Sequence, residues 1–497
     1  MSQLKKGATL TYLNIFLSNS LGLILTPFII RSLGQSEYGL YTLIGSFVSY
    51  LTLLDLGLNN SIIRFVAKYR AESDIEGERR FLGTAVWVYV GIAMLLVLVG
   101  FILFFQLDNL FQNTLNSEEM SRAKTMFLIL ILNLAVTIPG GAFQAICNAY
   151  QFFIFPRLLN IIKYLVRVVS VFAILFWGGK AISLVIIDTI LNISVILISM
   201  FFVVYKMKVI IPLKIFDKNL VKEIFSYSLW VFVYGIVHLF QWNAGQVVLG
   251  MTTSTVIVGI FGVGVLLGGY YNAFAGAINS MLVPRATKMI VDKKNGKELT
   301  EAMITVGRLN GYLLFFILTG FYLFGKTFIK LWLGDSYSDA WFVALFMMLG
   351  MTMLLFQVFG NTILEAYKKN RFKSLLSLFT VSAAVIAGYF LSPEYGIFGV
   401  IYPLTAALIL NSVVMNFYFI KIFEFEFVHF VKQTIFKQVL IYGLLAFTSF
   451  HILRHLTMNS WLSLCIFAGV YSLIYLLFSW FLVMNDYEKS FLKKFKK

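Results

Sequence analysis

Apolar runs about as long as a bilayer is thick recur from one end of this chain to the other. A helix needs about 20 apolar residues to cross the hydrocarbon core. Lipid offers no partner for free backbone groups, so spanning segments are helices or closed barrels. The runs are continuous rather than alternating, which selects helices. Spans fall near 9–31, 38–64, 81–105, 125–147, 152–177 and 181–205, then 224–250, 255–283, 303–325, 340–366, 374–392 and 396–420, and finally 434–454 and 460–483. The sequence therefore predicts an all-α polytopic membrane protein with about fourteen spans. The turns at 148–151 and 251–254 are the shortest in this map. Residues 9–31 are too long for the apolar core of a signal peptide and no A-x-A-like site follows, so they read as a retained first span. Only 13% of residues are charged, against about 25% in soluble chains: too few to clothe a water-facing surface.

A net charge of +17 raises the question of nucleic acid, and the placement of the charges answers it. With the N-terminus inside, 29 of the 40 Lys and Arg fall in inner segments and 7 in outer ones, the other four being Arg64, Lys163, Arg167 and Arg308 within spans. Cytoplasmic loops carry such an excess, and one missed span would invert every later loop. Both termini are expected in the cytoplasm, and no nucleic-acid partner is indicated. Cys147 and Cys465 lie in apolar stretches and make no disulfide framework.

An internal repeat is visible. Tyr38-Gly39-Leu40-Tyr41 resembles Val258-Gly259-Ile260-Phe261 at an offset of 220, which also sets Asn59 on Asn279 and Lys68 on Lys288; Asn148-Ala149-Tyr150 resembles Glu365-Ala366-Tyr367 at 217. Six spans per repeat is an even number, so the halves share an orientation. The expected domains are a six-helix bundle over 1–205, a basic cytoplasmic linker over 206–222, a second six-helix bundle over 223–420, and two further helices with a basic tail over 421–497. No loop is large enough to be a domain, which places function within the membrane or at its faces.

Polar residues inside spans are the candidate site, because a charge there costs roughly 2.5–3.5 kcal/mol on insertion scales and usually faces protein or a water-filled cavity. Asn160, Lys163 and Arg167 fall at i, i+3 and i+7, one helical face. A cationic face at mid-membrane suits an anion such as a phosphate or pyrophosphate; ion pairs that merely hold helices together are the plainer reading. Asp55 and Asp188 are the carboxylates well inside the spans. They neutralise Lys163 and Arg167 or carry a coupling proton or sodium ion. Asn59 shares the face of Asp55, whereas Asn60 and Arg64 share a different one. Arg31, Arg64, Arg308 and Glu365 sit near span ends, where snorkelling arginines and a helix-end surface carboxylate are the ordinary readings. His238 and Gln241 share one face and Asn272 and Asn279 another; they serve either as interhelical contacts or as hydrogen-bonding partners for sugar. Pro27, Pro139-Gly140-Gly141 and Gly262, Gly264, Gly268 and Gly269 allow kinks and close packing.

Residues 320–327, GFYLFGKT, match the P-loop pattern, but that motif needs a preceding strand and a following helix in a soluble fold, and here it ends an outer-facing apolar span. H-E-x-x-H, metal-spaced Cys/His clusters, G-x-S-x-G and D-x-D are absent from the sequence. Hydrolytic or transferase chemistry has no motif behind it, and no cofactor is indicated.

The stretch LGQSEYGLYTL followed by DLGLNNSIIRFVAKYR resembles the start of bacterial polysaccharide transporters, the O-antigen and capsule flippases of the multidrug/oligosaccharidyl-lipid/polysaccharide (MOP) exporter superfamily. The resemblance extends to fourteen spans, two six-helix halves and a basic inner linker. It implies alternating access by a V-shaped pair of bundles in the bacterial inner membrane. It also implies a substrate built of a polyprenyl pyrophosphate bearing a short oligosaccharide, the repeat unit of an O-antigen, capsule or exopolysaccharide. On this reading Lys163 and Arg167 meet pyrophosphate, with Asn160, Arg64, Arg31, Asn59 and Asn60 as further cavity residues, while Asp55, Asp188 and Glu365 balance charge or couple an ion. The prenyl tail stays in bilayer or in a groove near spans thirteen and fourteen. The expected partners are this lipid, membrane lipids, and the polymerase and chain-length machinery of the same pathway. The rivals are a cation-coupled drug exporter of the multidrug and toxic compound extrusion (MATE) type, with twelve spans and an acidic pocket; a lipid II flippase with a similar cationic cavity; and an O-antigen polymerase or membrane glycosyltransferase, which would need a sizeable catalytic loop or domain.

Overall fold

The computed structural model describes residues 3–279, 283–456, 458–486 and 488–490, of which 3–9, 11, 12, 15, 225–231, 234, 275–279 and 283–285 are described by backbone alone. Every element is helical: α1 Gln3–Leu33, α2 Gln35–Ser49, α3 Leu58–Ala71, α4 Ile75–Phe111, α5 Ser117–Ala149, α6 Ile154–Phe176, α7 Ala181–Phe201, α8 Lys218–Thr252 and α9 Thr255–Asn279 come first. They are followed by α10 Val283–Val291, α11 Gly296–Leu333, α12 Ala340–Phe356, α13 Val358–Ala366, α14 Arg371–Tyr395, α15 Ile397–Phe423, α16 Phe427–Phe430, α17 Lys437–Leu453 and α18 Trp461–Phe478. Thirteen segments among the described residues are long and apolar enough to cross a membrane. The 35-residue α8, at about 1.5 Å per residue, has the length of a fourteenth. This is a multi-pass membrane protein.

The chain packs as two compact units, Met1–Gly259 and Ile260–Lys497. In the first, α5 lies against α4, α7 and α3, α1 against α6, and α8 against α2 and α4. In the second, α15 lies against α14 and α12, and α11 against α12, α17 and α18.

The repeat extends to element boundaries. Span two runs Gln35–Ala71; α9 begins at Thr255 and α10 ends at Val291, 220 residues further on at both ends. Helices α5 and α13 end at Ala149 and Ala366, 217 apart. The turns follow the same register: the left-handed residues Ser73 and Lys293 are 220 apart, and Gln151 and Lys368 are 217 apart.

Two features depart from a plain row of rods. First, span two is broken. A 3-10 turn over Tyr50–Asp55 ends α2, the chain reverses hand at Leu56 and Gly57 (φ 50° and 70°), and α3 starts at Leu58. Glycine takes a positive φ without steric cost; Leu56 does not. The periodicity that set Asp55 and Asn59 on one helical face therefore fails at this point. Second, α2 meets the start of α9 with no side chain between them. A Cβ on Gly39 would lie 1.7 Å from the Thr255 carbonyl oxygen. Beside this crossing the buried Glu119 carboxylate accepts from Ser36 Oγ and, at 3.0 Å, from Thr255 Oγ1, and it completes a capping box with Asn116 at the head of α5.

In the second unit the arginine expected to snorkel does not. Arg308 is 6% exposed. Its guanidinium holds Glu488 through Nε–Oε1 at 2.6 Å and Nη2–Oε2 at 2.8 Å, and it donates to the carbonyls of Gln433 and Val483, both at 2.8 Å. Glu488 lies 180 residues away in sequence, so no local pattern foretold it.

Candidate functional site

Helix α6 is amphipathic in the sense opposite to a surface helix. Leu158, Ile162, Leu165, Val166 and Val169 form its exposed apolar side, the side that meets lipid. Asn160, Lys163 and Arg167 are half-buried on the other, turned toward the protein.

Two distinct arrangements occupy that polar side. Arg167 forks onto Asp188 of α7, Nε to Oδ1 at 2.5 Å and Nη2 to Oδ2 at 3.0 Å. A bidentate guanidinium–carboxylate pair is strong and geometrically specific, and this one is neutral as a unit. The Tyr41 hydroxyl of α2 adjoins both groups. Lys163, one turn earlier, has no carboxylate: Nζ donates to Asn192 Oδ1 at 2.6 Å, and Asn192 Nδ2 donates to Asn133 Oδ1 at 3.3 Å. Among the described residues no acid lies within ion-pair distance of Lys163. One positive charge thus stands on neutral amides inside the spans.

Asp55 does not supply the missing counter-charge. It closes the 3-10 turn of span two, packed beside α4 and α8, and forms no ion pair among the described residues. Its Oδ1 is buried and accepts no hydrogen bond. Asn59, just past the break, accepts from Tyr89 Oη at 3.1 Å and packs on Gly141, whose Cβ would lie 2.9 Å from Asn59 Nδ2. So Gly141, within the continuous helix α5, makes room for Asn59 of α3. The expected sharing of Asp55 and Asp188 between Lys163 and Arg167 is replaced by one pair, one lone cation and one lone carboxylate. Asp188 reaches Arg167 because α7 lies along α6; Asp55 is carried elsewhere by the break.

The remaining candidates disperse. Asn60 and Arg64 are exposed on α3, the Arg64 guanidinium 5.7 Å from the Phe65 ring centre, and Arg31 is exposed at the end of α1. Glu365 is exposed at the end of α13, 4.0 Å from Lys373 Nζ. His238 is exposed on α8, its ring 6.2 Å from that of Trp242, and Gln241 is half-buried nearby. Asn272 is half-buried on α9, and the side chain of Asn279 lies outside the described residues. No group of three or more His, Cys, Asp or Glu among the described residues is placed to hold a metal. The sequence gives no functional sign of Asn192, Asn133 or Tyr89, and marks Tyr41 only as part of the repeat: a neutral polar residue within an apolar run becomes informative only once its partner is known.

Residues 4–290 match the model of a family described as "Polysaccharide biosynthesis protein". The chain belongs to that family. Its fold is that of MOP-type transporters. It superposes on a structure of the lipid II flippase MurJ in an inward closed conformation with a TM-score of 0.74 at 16% identity, over 95% of this chain and 97% of that one. An inward-facing multidrug-resistance MATE transporter of the MOP superfamily gives 0.63 at 15%, over 83% and 94%. A MATE protein in complex with MaD3S gives 0.56 at 14%, over 85% and 97%. No curated protein matches the sequence.

Proposed function

We propose that this family member is a flippase that carries a polyprenyl-pyrophosphate-linked oligosaccharide from the cytoplasmic to the outer face of the bacterial inner membrane by alternating access. The observation that carries the reading is Lys163: an ammonium within a span, hydrogen-bonded to Asn192 and in no ion pair among the described residues, on the side of α6 turned away from lipid. A half-buried cation resting on a neutral amide keeps its capacity for an anion, because leaving Asn192 breaks a hydrogen bond and not an ion pair. The neighbouring Arg167–Asp188 pair positions α6 against α7 and adds no net charge. This supports an anionic substrate over the cationic drugs of the MATE type, which an acidic pocket would serve. The family's place in polysaccharide biosynthesis supports a lipid-linked sugar.

The accompanying topology has both termini cytoplasmic, bundles over 1–205 and 223–420 joined by 206–222, and an appended pair over 421–497. Inner-surface Lys and Arg and the register of the repeat support it. Transport, not catalysis, is the role proposed, with the polymerase and chain-length proteins of the pathway downstream.

The test is glycan sidedness. In a deletion host, inverted and right-side-out vesicles are probed with a membrane-impermeant lectin. The wild-type gene should restore glycan to the outer face, Lys163→Ala should not, and Lys163→Arg should retain much of the activity because it keeps the charge. Normal export by the expressed Lys163→Ala variant would remove the pyrophosphate assignment. Normal sidedness with missing polymer in the deletion host would point to a polymerase instead.

A further inference from the structure

An apolar cavity in the first unit takes no part in the substrate reading. Its volume is about 290 Å³, and its wall includes Ile62 of α3, Leu82 and Tyr89 of α4, Phe143 of α5, Ile196 of α7 and Ile211 from the segment after α7. No residue of α6 lines it, so it is separate from the setting of Lys163. Tyr89 brings the one polar side chain in the wall, and its hydroxyl donates to Asn59 at 3.1 Å. Such a wall offers a guest dispersion contact and no hydrogen bond. An apolar cavity of about 150 Å³ stays dry and accepts a hydrocarbon; this one has about twice that volume.

The cavity is not sealed. At Val90, Ala135 and Pro139 it runs into a groove between α4 and α5 that continues to Met94, Leu98 and Phe101. These three are exposed, as apolar residues that meet lipid are. From Leu82 to Phe101, 19 residues on, the path runs about 28 Å at 1.5 Å per residue. A chain of one leaflet covers about half of a 30 Å hydrocarbon core, so the path has room for one.

The other end of the cavity lies against a basic segment. Residues 211–217 pack on the start of α4: Trp87 Nε1 donates to the Leu213 carbonyl at 2.8 Å, the Asp217 amide donates to Thr84 Oγ1 at 3.1 Å, and a Cβ on Gly83 would stand 2.4 Å from the Pro212 carbonyl oxygen. Lys206, Lys208 and Lys214 are exposed in this stretch, interspersed with exposed Ile210, Leu213 and Phe216. None of the three lysines is in an ion pair among the described residues. Arg79 of α4 is exposed as well. Leu82 and Val86, both in the wall, follow it at i+3 and i+7, which sets Arg79 on the cavity's side of the helix. Cations interleaved with exposed apolar side chains suit a membrane interface carrying anionic lipid.

We infer that the cavity is a binding site for one acyl chain of an anionic glycerophospholipid whose headgroup phosphate sits at Lys206, Lys208, Lys214 and Arg79. The apolar wall reads the chain and the basic segment reads the charge. The same segment gives Ile211 to the wall and its lysines to the headgroup, so a bound lipid holds 206–217 down on α4. The site is independent of the substrate assigned to Lys163.

The experiment uses the purified full-length protein in detergent, with phosphatidylglycerol bearing a photoreactive diazirine near the end of one acyl chain. After irradiation the labelled peptides are mapped by mass spectrometry. Label should concentrate on 82–101 and 135–146. Unlabelled phosphatidylglycerol should compete several-fold better than phosphatidylcholine with the same chains. Lys206→Gln, Lys208→Gln and Lys214→Gln combined should erase that preference and keep the labelled peptides. Ala142→Phe, which puts a ring into the cavity, should cut the labelling several-fold. Label spread evenly onto lipid-exposed helices such as α14 and α18, or equal competition by the two lipids in wild type, would overturn the proposal. Unchanged labelling of a folded Ala142→Phe variant would overturn it too. So would competition by a polyprenyl phosphate and not by phosphatidylglycerol, which would give the cavity to a prenyl chain. If Ala142→Phe does not fold, the wild-type map and competition decide without it.

Discussion

Removing both members of the Arg308–Glu488 pair should destabilise the second unit far less than the sum of removing each alone. Arg308 and Glu488 are 6% and 4% exposed. The guanidinium makes two hydrogen bonds to the carboxylate, two to main-chain carbonyls, and one to Tyr312 Oη at 3.1 Å, while Tyr312 Oη in turn donates to Glu488 Oε2 at 2.8 Å. Arg308→Met strands a buried carboxylate and Glu488→Leu strands a buried guanidinium. Stranding one charge of a buried pair costs about 3–5 kcal/mol. The double variant carries no charge. What it loses is the donors to Gln433 and Val483 and the acceptor of the Tyr312 hydroxyl and the Asn485 amide, about 1 kcal/mol each, so it should sit about 4 kcal/mol below wild type. The two substitutions are then strongly non-additive, with a coupling of several kcal/mol. The assay is a double-variant cycle of detergent unfolding, with melting temperature as a parallel readout. Additive single effects would refute the reasoning. The pH dependence is a second check on the same pair. Burial alone would raise the Glu488 carboxyl, but its bonds to Arg308, to the Asn485 amide and to Tyr312 outweigh that and hold it below the usual carboxylate range. A carboxyl depressed in the folded state contributes stability at pH above its unfolded value of about 4.3. That contribution is lost as the pH falls through the lower folded value. Wild type should therefore lose, on acidification below about pH 4.5, a stability increment that Glu488→Leu never had.

Two further outcomes are expected. Gly39→Ala forces a methyl into the Thr255 backbone and should lower the melting temperature sharply, whereas Gly45→Ala on the same helix, with nothing within 4 Å of its Cβ, should be neutral or slightly stabilising; equal effects would contradict the close crossing of α2 and α9. Exchanging the partners, Arg167→Asp with Asp188→Arg, should recover more lectin-detected export than either single change, and failure to recover any would mean that their orientation, not just their pairing, is required.

Much of the architecture was legible because lipid enforces it. Apolar runs of spanning length leave little freedom, and the offsets of 220 and 217 seen in a few residues recur at helix ends. Lys163, Arg167 and Asp188 were visible because ions are rare in spans. The break at Leu56–Gly57 was not, since hydropathy runs through it unchanged and only Gly57 within DLGLNN hinted at a turn. Nor was the choice of partners. That Arg167 takes Asp188 and leaves Lys163 to Asn192 depends on the alignment of α6 with α7, and Arg308 finds its acid across 180 residues of chain.

The matched turns between the repeats carry a historical consequence. Ser73 and Lys293, like Gln151 and Lys368, share a left-handed backbone at equivalent positions though their side chains have nothing in common. A duplication of an ancestral six-helix gene would leave that signature if the joints between helices tolerated new residues but not a new length. The inherited quantity is then the spacing between spans, and a chain free to exchange almost every side chain while keeping that spacing can diverge in cargo without diverging in machinery.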